Sequence, residues 1–296
     1  DQSNQMYFWL ALIAIPVVVY FVAFKTKTPT EADCQRKFKD KVVVITGASS
    51  GLGMELAKQL SKYKPKLVLA ARSVDKLQSL KTDLETNGAK VLVVKTDVSQ
   101  PSDCEALVKK TLEEFAAIDV LFLNAGVSQA ERIRNVKEPK LLRQIMDTNY
   151  FGCTDVAFYA LDSLRQAKGH IVITSSVVSK LVIPGGSAYC ASKAALNSFF
   201  DVLRIEEKKD IKVTTICPGF VPTEIVANSL KGDGTRKGTS ENLPFPMKLD
   251  AAVRKMIHST VAGKMEVWYT LGGTLAMGFR GAFPSLADRL MYGVKQ

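Results

Sequence analysis

The chain has 296 residues, of which 47% are hydrophobic, so it can bury the core of one large domain or two small ones. Its five cysteines and two histidines are scattered and form no C-x-x-C pair or His-rich cluster, which argues against a zinc site and a disulfide framework. The formal net charge is +11, but the lysines and arginines are spread among many acidic residues, which argues against a nucleic-acid-binding surface.

The first predicted element is a membrane-spanning helix. Residues 6–24 carry no charge, and the length of this run is close to the roughly 20 residues that span a bilayer as a helix. Tyr7, Trp9 and Tyr20 near its two ends suit the membrane interfaces. The alternative is a cleaved signal peptide, but no basic region precedes the run and no A-x-A cleavage site follows it. We therefore expect an uncleaved anchor, with residues 1–5 as its flank.

The rest of the chain divides into a linker and one domain. Residues 25–40 are polar and charged without periodicity, so we predict a juxtamembrane linker, followed by a single domain over residues 41–296. In this domain short apolar segments alternate with amphipathic ones, which is typical of strands buried on both faces of a sheet covered by helices. The predicted fold class is a doubly wound α/β Rossmann fold with a mostly parallel sheet of six or seven strands. Residues 231–249, rich in Gly, Pro and polar residues, predict a mobile loop near the ligand.

The first predicted strand ends in TGASSGLG, which puts Gly47, Gly51 and Gly53 between a strand and a helix. Glycines at such a turn let the backbone approach a pyrophosphate that lies at the positive end of the helix. Three glycines alone are weak evidence, but the strand–turn–helix context that the motif requires is present here. The sequence therefore predicts a dinucleotide-binding site.

The second predicted strand ends in LAARS, where a dinucleotide fold selects its cofactor. NAD-selective proteins usually carry an acidic residue there, whereas a 2′-phosphate calls for an arginine. This chain has Ala71 and Arg72, and the planar guanidinium of Arg72 suits a phosphate. The alternative is a solvated surface arginine. We expect NADP(H) rather than NAD(H).

Tyr189 and Lys193 lie four residues apart in AYCASK, on a predicted amphipathic helix, and therefore share one face of it. A tyrosine at the edge of a core beside a lysine that reaches solvent gives the same spacing, so the pair alone carries little weight. Its meaning depends on the motifs around it.

The motifs follow one another in an order that resembles the short-chain dehydrogenase/reductase family. They are the glycine motif, NAG at residues 124–126, the pair Ser175 and Ser176, YCASK, and PGFVPT at residues 218–223. The resemblance covers about residues 41–229. With its predicted anchor, the chain is most similar to the membrane-anchored members close to the 11-beta-hydroxysteroid dehydrogenases.

The resemblance implies a catalytic set and a cofactor site. Tyr189 would donate a proton to the carbonyl oxygen as the nicotinamide delivers hydride to carbon, and Lys193 would lower the pKa of this tyrosine and hold the nicotinamide ribose. Ser176 would bind the substrate oxygen, and Asn149 would support a water-linked proton relay behind Lys193; outside the resemblance these two are a turn former and a capping residue. The implied NADP(H) contacts, with no metal ligand, are Gly47, Ser49, Ser50, Gly51, Leu52, Gly53, Arg72, Ser73, Asp97, Val98, Asn124, Ala125, Gly126, Tyr189, Lys193, Pro218, Gly219, Val221 and Thr223.

Two features depart from the family pattern. Ser179 stands where many relatives have glycine, and the chain diverges after Leu230, so no substrate is carried over from the resemblance. Trp268, Tyr269 and the apolar segment after them fit the core best, with a lipophilic pocket or a bilayer contact as alternatives.

Together these points predict an NADP(H)-dependent oxidoreductase that interconverts a carbonyl and an alcohol on a lipophilic substrate such as a steroid, a retinoid or another lipid. The alternatives are a long-chain keto-lipid reductase of the 3-ketosphinganine type and a non-catalytic dinucleotide-binding redox sensor, which would not need the proton-transfer residues. We expect a single-pass protein of the endoplasmic reticulum membrane, a homodimer and no nucleic-acid partner. Because lysines and arginines follow the apolar run, the catalytic domain is expected to be cytosolic.

Overall fold

The computed structural model describes residues 28–86, 88–238, 246–269, 281 and 283–292. The predicted anchor and its flank lie outside these residues. None of the described helices is long and apolar enough to cross a membrane.

Within the described part of the chain, seven parallel strands form one sheet, which confirms the predicted fold class. Their order across the sheet is β3-β2-β1-β4-β5-β6-β7. Most strand residues are buried because helices cover both faces, as the continuous Val, Ile and Leu runs predicted. The strands are Val42–Thr46 (β1), Lys66–Ala71 (β2), Lys90–Lys95 (β3), Val120–Leu123 (β4), His170–Thr174 (β5), Lys212–Cys217 (β6) and Glu266–Trp268 (β7).

The sheet separates two large hydrophobic cores of the described residues, and the helices cover one core on each face. Successive strand residues point to opposite faces, so Val43 and Ile45 of β1 join one core and Val42 and Val44 the other. The helices are Glu31–Phe38 (α1), Gly51–Ser61 (α2), Val74–Glu85 (α3), Pro101–Phe115 (α4), Lys140–Met146 (α5), Gly152–Gln166 (α6), Ser187–Glu206 (α7), Glu224–Ala227 (α8), Leu249–Val261 (α9) and Pro284–Tyr292 (α10). Short 3-10 helices span Ile133–Asn135 and Val177–Ser179, and a π-helical turn spans Asp147–Phe151.

Helix α1 corrects the prediction that residues 25–40 are a linker. Cys34 and Phe38 have no exposed surface and belong to the core, and the Phe38 ring stacks on that of Tyr63 with centroids 6.0 Å apart. The sequence pattern did not indicate this helix, because half of its residues are charged and its two buried residues give no apolar periodicity. Residues 31–38 are therefore part of the globular domain, which begins before Lys41.

A capping box starts this helix. The Thr30 hydroxyl accepts a hydrogen bond from the Asp33 N–H at 3.2 Å, and the Asp33 carboxylate accepts one from the Thr30 N–H at 2.9 Å. These two bonds satisfy backbone donors that a helix N-terminus otherwise leaves without a partner.

Strand order reverses between β1 and β4, and the chain connections leave these two strands in opposite directions. A crevice opens at the carboxyl ends of parallel strands at such a reversal, and ligands bind there.

The segment after β6 lies beside this crevice. Within the predicted loop, residues 231–238 form a turn in which Leu230 pairs with Arg236 and the Lys231 N–H donates to the Thr235 carbonyl at 2.8 Å.

Tyr269, the residue that follows β7, belongs to the core. Tyr269 is buried, and its hydroxyl donates a hydrogen bond to the Ala252 carbonyl at 2.8 Å. The interpretation of this residue as core is therefore confirmed.

Candidate active site

A cleft of about 280 Å³ lies at the carboxyl ends of the central strands, where the strand order predicts a ligand. It brings together three of the four predicted catalytic residues and every predicted cofactor residue except Gly53. These residues are Gly47, Ser49, Ser50, Gly51, Leu52, Arg72, Ser73, Asp97, Val98, Asn124, Ala125, Gly126, Ser176, Tyr189, Lys193, Pro218, Gly219, Val221 and Thr223.

The glycine turn requires its glycines at two positions. Gly47 has a left-handed backbone (φ 68°), and a Cβ there would lie 2.8 Å from the Cα of Ala125. Gly53 lies behind the cleft wall, where a Cβ would be 2.3 Å from the Gly47 carbonyl oxygen and 2.6 Å from Asn124 Nδ2. Side chains are thus excluded at these two positions, and the N-terminus of α2 at Gly51 lines the cleft, where its partial positive charge can bind an anion. The turn fits a dinucleotide pyrophosphate.

Asn124 fastens the strand ends that form the floor of the cleft. Its Nδ2 donates to the Thr46 carbonyl at 3.2 Å, and its Oδ1 accepts a bond from the Thr174 hydroxyl at 3.2 Å. The Thr46 hydroxyl in turn accepts the Asn124 N–H at 3.0 Å. These bonds join the carboxyl ends of β1, β4 and β5, so the floor is held rigidly beneath the predicted cofactor.

Arg72 stands at the end of β2 with 60% of its side chain exposed. Its Nη1 lies 4.0 Å from Asp97 Oδ2, and the other oxygen of Asp97 accepts a bond from the Ser99 hydroxyl at 2.8 Å. An exposed ion pair of this length contributes little energy. The guanidinium is therefore able to turn to a phosphate in the cleft.

Tyr189 lies in the first turn of α7 and is half-buried. Burial raises the pKa of Tyr189 to about 12, and a hydrogen bond with the Ser176 hydroxyl opposes part of this shift. Lys193 is not among the groups that shift this pKa, so its predicted lowering of the pKa of Tyr189 stays a prediction. The Lys193 Nζ lies 5.9 Å from the tyrosine ring centroid and donates instead to the Thr174 carbonyl at 2.8 Å, so burial of the phenol dominates.

Lys193 is buried, with 3% of its surface exposed. Burial lowers the pKa of Lys193 from its ordinary value, and the neighbouring thiols Cys153 and Cys217 oppose the shift. The bond to Thr174 fixes its ammonium at the cleft wall. Thr174 was not predicted as a site residue. Its position as the last residue of β5, at the carboxyl edge of the sheet, is the signal that indicates it.

Asn149 lies behind the cleft in the π-helical turn and is fully buried. Its Oδ1 accepts the Val127 N–H at 2.8 Å, and its Nδ2 donates to the Val127 carbonyl at 2.9 Å and to the Ser192 hydroxyl at 3.0 Å. The Ser192 hydroxyl donates to the Tyr189 carbonyl at 2.8 Å. The Asn149 side chain thus links the segment after NAG to the turn that carries Tyr189, while its role in a proton relay stays a prediction.

Ser179, the departure from the family pattern, lies in the 3-10 helix after Ser176. Its hydroxyl accepts a bond from Asn197 Nδ2 at 3.0 Å, which ties this helix to α7. The serine therefore supports the segment that holds Ser176.

Several cleft residues were missed by the sequence analysis. They lie on α5, on the π-helical turn, and on the segment that follows Thr223, where no motif indicates a site. They include Gln144, Thr148, Ile225, Asn228 and Arg236.

The comparison with known families agrees with this geometry. The family model described as short chain dehydrogenase matches residues 41–234. The chain belongs to the short-chain dehydrogenase family. The resemblance predicted from the order of the motifs is thereby confirmed.

Similar proteins from other organisms are named as dehydrogenases or reductases. The protein "11-beta-hydroxysteroid dehydrogenase-like 2" of Arabidopsis thaliana is 38% identical over 192 residues, which are 64% of this chain and 62% of the relative, less than two thirds of its length. The "dehydrogenase/reductase SDR family member 7" of Homo sapiens is 38% identical over 237 residues, which are 77% of this chain and 70% of the relative.

A solved structure of the same fold was determined with a nucleotide. It is an alcohol dehydrogenase from the archaeon Thermococcus sibiricus, complexed with 5-hydroxy-NADP. The match has a TM-score of 0.67 and 29% sequence identity, and it covers 77% of this chain and 94% of the archaeal one.

Proposed function

We propose that the protein is an NADP(H)-dependent oxidoreductase that interconverts a carbonyl and an alcohol on a lipophilic substrate. Members of the short-chain dehydrogenase family are oxidoreductases that act on CH–OH groups. The observation that carries the proposal is the meeting of Ser176, Tyr189 and Lys193 in the same cleft as the glycine turn. A dinucleotide fold that only sensed redox state would not need the three side chains that handle a proton.

The chemistry follows from these three side chains. When bound, the nicotinamide cofactor supplies hydride to the carbonyl carbon. The hydroxyls of Ser176 and Tyr189 are hydrogen-bonded to each other and can both bond to a carbonyl oxygen. With its pKa at about 12, Tyr189 is protonated at neutral pH and can donate a proton to that oxygen, and the Lys193 ammonium stabilises the phenolate left behind.

The preference for NADP(H) rests on Arg72, which occupies the position where an NAD-selective fold carries an acid. Among the described residues, the exposed guanidinium of Arg72 has one ion-pair contact, the long one to Asp97. A bidentate bond to a 2′-phosphate would be stronger than this contact. The nucleotide in the archaeal relative is also of the NADP type.

The lipophilic substrate is supported by an apolar groove of about 680 Å³ between the residues that follow Ser176 and the start of α7. Val178, Val182 and Ile183, which follow Ser176, form one wall, and Cys190 and Ala194 of α7 form another. Apolar walls of this kind favour a hydrocarbon skeleton. The steroid dehydrogenase names among the relatives support a steroid-like substrate, and a retinoid or a long-chain keto lipid offers the same chemistry.

The location is also part of the proposal. We infer a single-pass anchor over residues 6–24 in the endoplasmic reticulum membrane and a cytosolic catalytic domain, because Lys25, Lys27, Arg36 and Lys37 follow the apolar run. In sealed microsomes, protease added outside should digest the domain without detergent. Protection until detergent is added would reverse the assigned orientation.

A homodimer is supported by exposed apolar side chains on two neighbouring helices. Phe158 of α6 is 69% exposed, and Val202 and Ile205 of α7 are 53% and 74% exposed. A two-fold axis would bury such a face against itself. Ile205→Asp should shift the chain from dimer to monomer in light scattering, whereas a monomeric native chain would contradict this assignment.

The direct test is turnover with a defined panel. The purified chain should oxidise NADPH in the presence of steroid, retinoid or long-chain lipid carbonyls, and NADH should support much slower turnover. Binding of NADPH without turnover on any carbonyl would favour the redox-sensor alternative. Turnover limited to short hydrophilic carbonyls would contradict the lipophilic substrate.

A further inference from the structure

A separate cavity of about 300 Å³ lies along α9, away from the cleft. Its lining combines cationic side chains of α9 and of the turn before β7 with the first described residues of the chain. Among the residues that the structure describes, no acidic side chain lines it. The lining residues are Thr28, Pro29, Ala251, Arg254, Lys255, His258, Ser259 and Lys264.

Lys255 is held in place at the wall of the cavity, and none of the carboxylates among the described residues forms an ion pair with it. Lys255 Nζ donates to the carbonyls of Trp268 and Tyr269, both at 3.1 Å, which holds its ammonium in position. Burial, and then the like charge of Lys264, lower the pKa of Lys255. The ion pairs among the described residues include none to Lys264, and Arg254 has only a contact of 3.7 Å to the exposed carboxylate of Asp250. An anion would relieve this crowding of like charge.

One further acid lies near the cavity but is already engaged. Hydrogen bonds from Tyr63 and then from Lys62 are the main causes that lower the pKa of Glu31, and His258 contributes least. The Tyr63 hydroxyl lies 2.8 Å from Glu31 Oε2, and Lys62 Nζ lies 3.1 Å from the same oxygen. Glu31 therefore has its own partners and does not balance the cavity.

The position of the cavity in the chain indicates the source of the anion. Thr28 lines it and stands four residues after Phe24, the end of the predicted anchor. A fully extended chain of four residues spans at most about 14 Å. If residues 6–24 span a bilayer, the cavity must lie at the level of the lipid head groups, where anionic lipids attract Lys and Arg.

We propose that this cavity binds the phosphate of an anionic lipid head group. Charge complementarity selects a lipid with net negative charge over a zwitterionic one. Binding there would orient the catalytic domain on the membrane, and it is independent of the redox reaction. The proposal depends on the anchor over residues 6–24 in one respect, because the anchor places the cavity at the lipid head groups.

The test uses the full chain in a non-ionic detergent, titrated with short-chain phosphatidic acid or phosphatidylcholine and followed by native mass spectrometry. Phosphatidic acid should bind at least about tenfold more tightly than phosphatidylcholine. Each cation near an anionic head group contributes about fivefold in affinity, so Arg254→Gln with Lys264→Gln should weaken phosphatidic acid about 25-fold. Lys264→Arg should retain the native affinity.

The matched control is Lys109→Gln with Lys110→Gln. Both lysines are exposed on α4, which packs on the opposite face of the sheet from α9. This variant should bind phosphatidic acid as the native chain does, and both double variants should keep native NADPH affinity, which reports on folding.

Three results would overturn the proposal. They are equal binding of the two lipids, equal loss in the α9 variant and the control, and displacement of phosphatidic acid by inorganic phosphate at the same concentration, which would indicate a free-phosphate site. If the native chain binds phosphatidic acid as expected but reduces none of the carbonyls in the panel, the lipid site stands and only the proposed oxidoreductase function is contradicted.

Discussion

Arg72 offers a quantitative test of cofactor selection. Replacing it with glutamine removes the charged partner of a 2′-phosphate, and replacing it with glutamate adds a repelling charge. Hydrogen bonds to a charged group contribute about 1.5–3 kcal/mol, so Arg72→Gln should weaken NADPH about 10- to 150-fold. Arg72→Glu should weaken it further. The native contact to Asp97 is 4.0 Å long and exposed, so its loss should cost less than about 1 kcal/mol of stability.

The assay is a pair of titrations, NADPH and NADH, followed by quenching of protein fluorescence. NADH affinity should change less than about threefold, because NADH has no 2′-phosphate, so the ratio of the two dissociation constants isolates the phosphate contact. The melting temperature serves as the control for folding. An unchanged ratio in both variants would refute the role of Arg72 and move the selection to another cleft residue such as Ser73.

Three further predictions concern the glycine turn and two buried side chains. Gly53→Ala should abolish nucleotide binding in fluorescence titrations, because its Cβ would lie 2.3 Å from the Gly47 carbonyl. The control is Gly281→Ala, whose Cβ would have none of the described atoms within 4 Å and which should bind the nucleotide normally. Burial lowers the pKa of His170 from 6.5 to about 3, so the unfolded chain takes up a proton that the folded chain does not, and stability falls as the pH drops below 6.5. The free energy of unfolding, measured with urea, should fall by about 2 kcal/mol between neutral pH and pH 5, and His170→Asn should reduce this pH dependence. The same pH dependence in the native chain and in His170→Asn would contradict this assignment. Phe38→Ala should destabilise the domain by about 3–5 kcal/mol, and a loss below about 1 kcal/mol would return α1 to the status of a linker.

The sequence was sufficient for the sheet and for most of the cleft. Continuous apolar runs mark strands buried on both faces, and the motifs at their carboxyl ends converge because parallel strands end at one edge. The helical spacing of Tyr189 and Lys193 likewise gave their shared face. Local patterns therefore carried these predictions.

Interactions between distant segments were beyond such patterns. Helix α1 has a capping-box signal in Thr30 and Asp33, but its two core residues are too few to give a periodicity. The direction of the pKa shift of Tyr189 depends on how deeply the phenol is buried and on the bond that draws Lys193 to Thr174. Both are properties of the folded chain, as is the contribution of Arg236 to the cleft.

The central claim is that Tyr189 transfers the proton in a carbonyl reduction. The most direct measurement compares NADPH affinity and NADPH turnover, on the best carbonyl of the panel, between the native chain and Tyr189→Phe. The ring and its packing remain in this variant, so NADPH should bind within about twofold of the native affinity. Turnover should fall at least about 10²- to 10⁴-fold, because the proton donor is gone. Native turnover in Tyr189→Phe would contradict the account.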